Sequence, residues 1–158
     1  MTVDKSMSVI SGYLTTRLFS IWDLSRGGLS QTDIATKLGI TRQAVNQAIQ
    51  EATERVTRAL TETAEINKLS IESIDPLHGI LIGWSREFSV KAVISITKRD
   101  GMQVWYEHVA DCVHCNKFDA CHGYLIKYAR ERNRKLSNEE KKLVPSKLAQ
   151  LLFGMNKA

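Results

Sequence analysis

The chain has 158 residues, 43% hydrophobic and 25% charged, which is the composition of a soluble globular protein with one ordinary domain or two small ones. Its longest apolar run, around Ile80 to Trp84, is far too short to span a bilayer, and the N-terminus lacks the apolar core of a secretory leader, so a cytoplasmic location is expected. A net charge of +5 suits a polyanionic partner and excludes little else.

Residues 1–10 carry little pattern and are expected to be a flexible lead-in. From Thr15, Leu18, Ile21, Trp22 and Leu24 mark a helix that stops at Gly27-Gly28. Arg26, in its last turn, suits either a phosphate contact or the negative end of the helix dipole. Ser30 then caps a short helix with Ile34, Ala35 and Leu38 on one face, broken by Gly39. A second helix opens at Thr41 and turns Val45, Ala48 and Ile49 toward the first. At 3.6 residues per turn its opposite face carries Gln43, Asn46, Gln47 and Gln50, with Arg42 at the edge. A solvated helix face ordinarily carries Lys and Glu. Amides pair bidentately with adenine in a major groove, and Arg does so with guanine.

The stretch from Leu14 to Gln50 resembles the helix-turn-helix of LuxR-type regulators, sigma factor region four and the archaeal Tfx-type regulators. The matching residues are Gly28-Leu29-Ser30-Gln31, the pair Ile34-Ala35, Leu38-Gly39-Ile40, and Val45, within about a quarter of the chain. The resemblance implies a tri-helical unit that contacts double-stranded DNA through Gln31, Thr41, Arg42, Gln43, Asn46 and Gln47. A tri-helical unit used for protein contact is the alternative.

The second helix runs on. Val45, Ile49, Ala52, Val56, Ala59, Thr63 and Ile66 recur at alternating steps of four and three, the seam of a coiled coil, with no Gly or Pro before Asn67. We read it as a dimerisation helix, its alternative being packing on the chain's own C-terminal half. A homodimer implies a DNA site that is an inverted repeat.

Residues Ser70 to His78 read as a linker turned by Asp75-Pro76. Strand patterns follow at Ile80 to Trp84, at Val90 to Thr97, and from Met102 to His108. A three-residue loop Arg99-Asp100-Gly101 is expected to pair Ile96 with Val104, Ile94 with Tyr106 and Ala92 with His108, with Gly101 left-handed. A helix is expected from Gly123 to Arg134, with a basic face that meets either DNA flanks or solvent. Ser137 and Glu140 form a capping box for a further helix that bends or restarts near Pro145 and ends at Gly154.

The three cysteines, Cys112, Cys115 and Cys121, lie within ten residues in a C-x2-C-x5-C pattern. An odd number so closely grouped argues for a ligand cluster or redox centre over a disulfide framework. Structural zinc usually takes two knuckles of paired ligands, and a second pair is absent. An iron-sulfur cubane tolerates three close cysteines with one outlying ligand. The spacing resembles that of FNR-type and WhiB-type iron-sulfur regulators, whose fourth cysteine has no counterpart here. That resemblance covers the motif alone, and it implies a 4Fe-4S cluster, with zinc as the alternative. Among His108, Asp111, His114 and His122, the expected strand register places His108 best as fourth ligand. There is no radical-SAM cysteine loop, no Gly-rich phosphate loop and no Ser-His-Asp spacing, so no enzyme activity is expected.

The expectation is a mainly α protein with a small β element, of the α+β class. A DNA-binding part is expected over residues 1–69 and a metal-binding regulatory part, built on a β-hairpin or three-stranded sheet, over residues 70–158. Together they make a transcription regulator whose cluster senses oxygen or redox state. A regulator with a purely structural zinc, or a helix-turn-helix adaptor for a protein partner, is the rival.

Overall fold

Three hydroxyls open the first three helices. Thr15 Oγ1 accepts from the amide of Leu18 at 3.2 Å, Ser30 Oγ from Asp33 at 3.1 Å and Thr41 Oγ1 from Ala44 at 3.0 Å. Each satisfies a first-turn donor that has no partner inside its helix. The helices are α1 (Thr16–Arg26), α2 (Gln31–Leu38) and α3 (Arg42–Ile66). The computed structural model describes residues 12–98, 100–108 and 110–154; the expected lead-in at residues 1–10 lies outside them. Ile21, Ile34, Ala35 and Val45 form a small buried core where α1, α2 and α3 meet. Ser30 and Thr41 cap their helices as anticipated, and Ile34 and Ala35 are buried, but Leu38, expected on the same apolar face, is 40% exposed at the end of α2.

The fold mixes helix and sheet, as the α+β class requires, but the sheet is larger than a hairpin. Four strands, β1 (Leu69–Asp75), β2 (Ile80–Ser85), β3 (Val90–Thr97) and β4 (Gly101–Tyr106), form an antiparallel meander in sequence order. The expected linker over Ser70 to His78 is therefore corrected: most of it is strand. As an edge strand β1 is exposed beyond Leu69, and a bulge between Ile71 and Ser73 breaks its alternation. Main-chain bonds to β2 suffice to hold such a strand, so it carries little hydrophobic signal.

The expected pairing of β3 with β4 is corrected too. Thr97 pairs with Gly101, Ile96 with Met102, Ile94 with Val104 and Ala92 with Tyr106. Gly101 is left-handed, at φ +70°, yet it begins β4 instead of ending the loop. Thr97 Oγ1 accepts from the amide of Asp100 at 3.1 Å and closes the turn one residue earlier. The shift is by two residues, so every side chain keeps its face. His108, however, falls beyond the paired strand.

The sheet is a middle layer. Leu69, Leu81, Ala92, Ile94 and Ile96 pack with Leu18, Phe19 and Trp22 of α1 and with Ala52, Val56, Leu60 and Ala64 of α3. One apolar core thus spans the expected division at residues 69/70. The other face carries Val93, with Ile80, Ile82 and Trp105 beside it, against Tyr124, Leu125, Tyr128, Leu148, Ala149 and Phe153. These last belong to α4 (Phe118–Glu131) and α5 (Pro145–Phe153). Covered on both sides, β3 buries even Ser95 and Thr97, which alternation alone would turn to solvent. On α3, the face that resembles a dimer seam is occupied by the chain's own α1 and sheet. Ile66, at its end, is 80% exposed.

Helix α4 starts five residues earlier than Gly123, and its end is set by Asn133. Asn133 is left-handed at φ +52°, and the Arg134 amide reaches back to Ala129 O at 2.9 Å. The Ser137 and Glu140 capping box forms reciprocally, at 3.1 and 2.7 Å, but it closes only a 3-10 turn, Glu140–Lys142. Pro145 then opens α5 from the position where a missing amide costs nothing. Among the described residues no helix is long and apolar enough to cross a membrane.

Candidate nucleic-acid interface and cysteine loop

Gln31 is the first residue of α2, and Arg42, Gln43 and Asn46 occupy the first turns of α3. The turn at Gly39 brings them together around one open depression of about 510 Å³. Gln31 Nε2 donates to Asn46 Oδ1 at 3.1 Å. That bond uses one donor and one acceptor and leaves the Asn46 amide nitrogen and the Gln31 carbonyl oxygen for a ligand, the donor–acceptor pair that an adenine edge complements. Arg42 and Gln43 are exposed beside them.

Thr41 and Gln47, also expected here, do not line the depression. Thr41 spends its hydroxyl as the cap of α3, which orients the first-turn amides. Gln47 is exposed one position along the helix from Asn46. The face remains one of amides and a single guanidinium. On the same two helices, Asp33 lies in the first turn of α2, and Glu51 of α3 is paired with Arg55 at 2.7 Å.

Arg26 has no part in this surface. Its side chain is fully buried and donates to Ile96 O at 2.7 Å, to Asp23 Oδ1 at 2.8 Å and to Glu131 Oε2 at 3.1 Å. Its guanidinium lies 4.4 Å from the centroid of the Trp22 ring. Arg26 therefore joins α1 to β3 and to the last residue of α4. Glu131 completes the joint by accepting the Lys98 amide at 2.9 Å. The sequence could not show this, because a basic residue in a last turn has an adequate local reason to be there.

The cysteines sit where a 3-10 turn, Cys112–His114, leads into α4. Cys112 is buried, Cys115 exposed and Cys121 intermediate, and all three are free thiols. The Cys115 amide donates to Cys112 O at 3.2 Å, closing the turn, and the Cys121 amide to Lys117 O at 2.9 Å within the first turn of α4. Burial pushes the Cys121 thiol up first, and the neighbouring Cys115 and Cys112 push it further, while Lys117 opposes them.

The histidines divide among other partners. His108, exposed past the end of β4, donates from Nδ1 to Tyr106 O at 2.8 Å, since a carbonyl can only accept. This uses Nδ1 and leaves Nε2 without a protein partner among the described residues. His114 Nδ1 meets Asp111 Oδ2 at 2.6 Å, and His122 Nε2 donates to Lys141 O at 2.7 Å. No hydrogen bond joins His108 to a cysteine, and no three His, Cys, Asp or Glu side chains converge as a ready metal-ion cage among the described residues. Three thiols of graded exposure thus lie on one turn and one helix start, and thiolates are ligands for soft metals.

Asn133 was not anticipated. Its Nδ2 donates to Gly27 O, so the end of α4 docks on the corner between α1 and α2. An Asn between basic residues near the expected helix end, a residue that tolerates the left-handed position after a helix, was the available signal. Compared with protein-family models, with curated proteins and with solved structures, the chain matches none.

Proposed function

We propose that the protein is a cytoplasmic, sequence-specific regulator of transcription that binds double-stranded DNA through α2 and α3, with Cys112, Cys115 and Cys121 holding a 4Fe-4S cluster that responds to oxygen or redox state. The observation that carries the DNA-binding part is the group of half-buried Gln31 and Asn46 with exposed Arg42 and Gln43 around one open depression, Gln31 and Asn46 being already bonded to each other. In this role the first half of α3 enters the major groove and α2 crosses the backbone. The second half of α3 is held in the core by Ala52, Val56, Leu60 and Ala64, which gives the reading end a rigid base.

The cysteine loop supports regulation through its place in the fold. Helix α4 begins beside it and runs 14 residues to Glu131, which holds Arg26 of α1. A helix of that length is a strut of about 21 Å between the thiols and the DNA-binding helices. The cluster would be held by the three thiolates, with His108 Nε2 as fourth ligand, and it would supply a charge and geometry that change with its oxidation or loss. Homodimerisation on an inverted repeat remains part of the proposal, through a surface other than the covered seam of α3.

Selection from a random duplex pool tests the first part. Wild type should enrich one sequence, and Asn46→Ala with Gln47→Ala should keep general affinity but lose that preference; an unchanged preference refutes α3 as the reader. Iron, sulfide and visible absorbance on protein purified without oxygen, beside Cys115→Ala, test the second. One tightly held zinc without sulfide would replace sensing by a structural metal. A protein with no salt-dependent affinity for DNA would be an adaptor.

A further inference from the structure

The helices expected to meet DNA carry no net charge. Between Thr16 and Ile66 six basic residues face six acidic ones. The surplus lies elsewhere: Lys127 to Lys147 holds eight basic residues against three acidic, and the rest of the chain fourteen against fourteen. Affinity for a duplex comes largely from neutralised phosphates. A neutral reading unit therefore needs a second, basic contact.

The structure gathers that charge into one place. Arg130, Arg134, Lys135 and Lys141 line an open cleft of about 560 Å³ beside Asn133 and Leu136. All four are exposed, and none has an ion-pair partner among the described residues. Two of the three local acids are engaged: Glu131 by Arg26 and Lys98, Glu140 by the Ser137 amide. Only Glu139 remains exposed nearby. The other basic residues of the stretch include Arg132, which donates to His78 O and Ile96 O, and Lys127, paired with Asp100.

The cleft is tied to the reading unit. Asn133 donates to Gly27 O, and four residues further on is Gln31, at the start of α2. Four residues span at most about 14 Å. In helix-turn-helix docking this first helix crosses the DNA backbone, so the cleft, tied at Gly27, lies near the helix that meets phosphate. Its apolar lining is aliphatic, from Ile126, Ala129 and Leu136, with no aromatic ring on which a free base could stack. That favours the backbone of a duplex over single-stranded nucleic acid.

We infer that Arg130, Arg134, Lys135 and Lys141 form a second phosphate-binding surface, which grips the duplex backbone beside the α2–α3 reading site and supplies most of the protein's sequence-independent affinity; this rests on the DNA-binding reading above. The test measures binding of the full chain to a mixed-sequence 30-base-pair duplex by fluorescence anisotropy, from about 50 to 200 mM salt. In Arg130→Ala with Arg134→Ala and Lys135→Ala, the log–log salt slope should fall by about 2.7, so that this rise in salt weakens binding about 40-fold less than in wild type. Preference for the selected duplex over the mixed one should be retained.

Lys135→Gln with Lys141→Gln should give roughly two-thirds of that change, and serves if the triple variant fails to fold. Arg58→Ala with Arg86→Ala, on α3 and in the β2–β3 turn, removes exposed charge elsewhere and should leave the slope nearly unchanged. A wild-type slope in the cleft variants, or an equal fall in the Arg58 and Arg86 control, overturns the surface while leaving DNA binding intact. Absence of any duplex binding by wild type at low salt overturns both.

Discussion

A single methyl group at Gly79 should loosen the seat of α1 on the sheet. Gly79 is left-handed, at φ +69°, and a Cβ there would stand 2.9 Å from Trp22 Cη2 and 3.2 Å from Ile96 Cβ. The Trp22 ring has nowhere to go. It is fully buried, its Nε1 donates to Pro76 O at 3.0 Å, and the Arg26 guanidinium stacks on it at 4.4 Å. The backbone cost for an L-residue is about 1–2 kcal/mol, and overpacking adds about 1–3, so Gly79→Ala should lose about 3 kcal/mol. Gly39→Ala isolates the first term, because Gly39 has a similar φ of +65° with nothing within 4 Å. Its loss should be about 1 kcal/mol. In a chain of this size the two should lower Tm by about 10 °C and about 3 °C. Guanidinium unfolding with unchanged slope, beside thermal melts, measures both. Equal losses in the two variants would refute the argument that Trp22 is clamped.

Arg26→Met should cost about 2–3 kcal/mol in urea unfolding, because it leaves the Asp23 and Glu131 carboxylates without their buried cation. Those carboxylates are a quarter and a fifth exposed, so water offsets part of the loss; wild-type stability in the variant would show that burying the guanidinium costs as much as it returns. The Tyr124 phenol is pushed up to about 12, chiefly by burial, against a hydrogen bond with Ser95 and the charge of Arg132, which lower it. The unfolded chain releases this proton near 10 and the folded chain near 12, so the stability is whole below pH 10 and is lost as pH rises through 12, by about 2–3 kcal/mol. Between pH 9 and 11.5, Tyr124→Phe should therefore lose less stability than wild type; equal losses would mean that Tyr124 does not hold its proton.

Local chemistry explains why so much of the N-terminal half was legible. A capping hydroxyl, a left-handed glycine and a stripe of apolar side chains act within a few residues, and Thr15, Ser30, Gly39 and Thr41 perform the parts their positions imply. The amide-rich face on α3 was equally readable, since helical spacing alone puts Gln43, Asn46 and Gln47 to one side. Strand β1 was not readable, because an edge strand is held by main-chain bonds that leave no side-chain pattern. The β3–β4 register was missed for a related reason. Every loop that keeps parity gives the same apolar pairing of faces, and a hydroxyl–amide bond at Thr97 chose among them.

The sequence by itself determined most of the elements and the residue types they carry: three helices with an amide face, three of the four strands, and three thiols within ten residues. Only the tertiary structure decided what covers what. The stripe along α3 is apolar whether a second copy or the chain's own sheet lies on it, and burial of Ala52, Val56 and Leu60 with Leu81 and Ile94 settles which partner they have here. Arg26 is a plausible surface residue until β3 and α4 close over it. The basic residues after Lys127 are an ordinary charged helix until Asn133 ties them to Gly27. The reason is range: caps and turns are decided within about four residues, whereas burial, ion pairing and charged clefts depend on segments a hundred residues apart arriving at the same place.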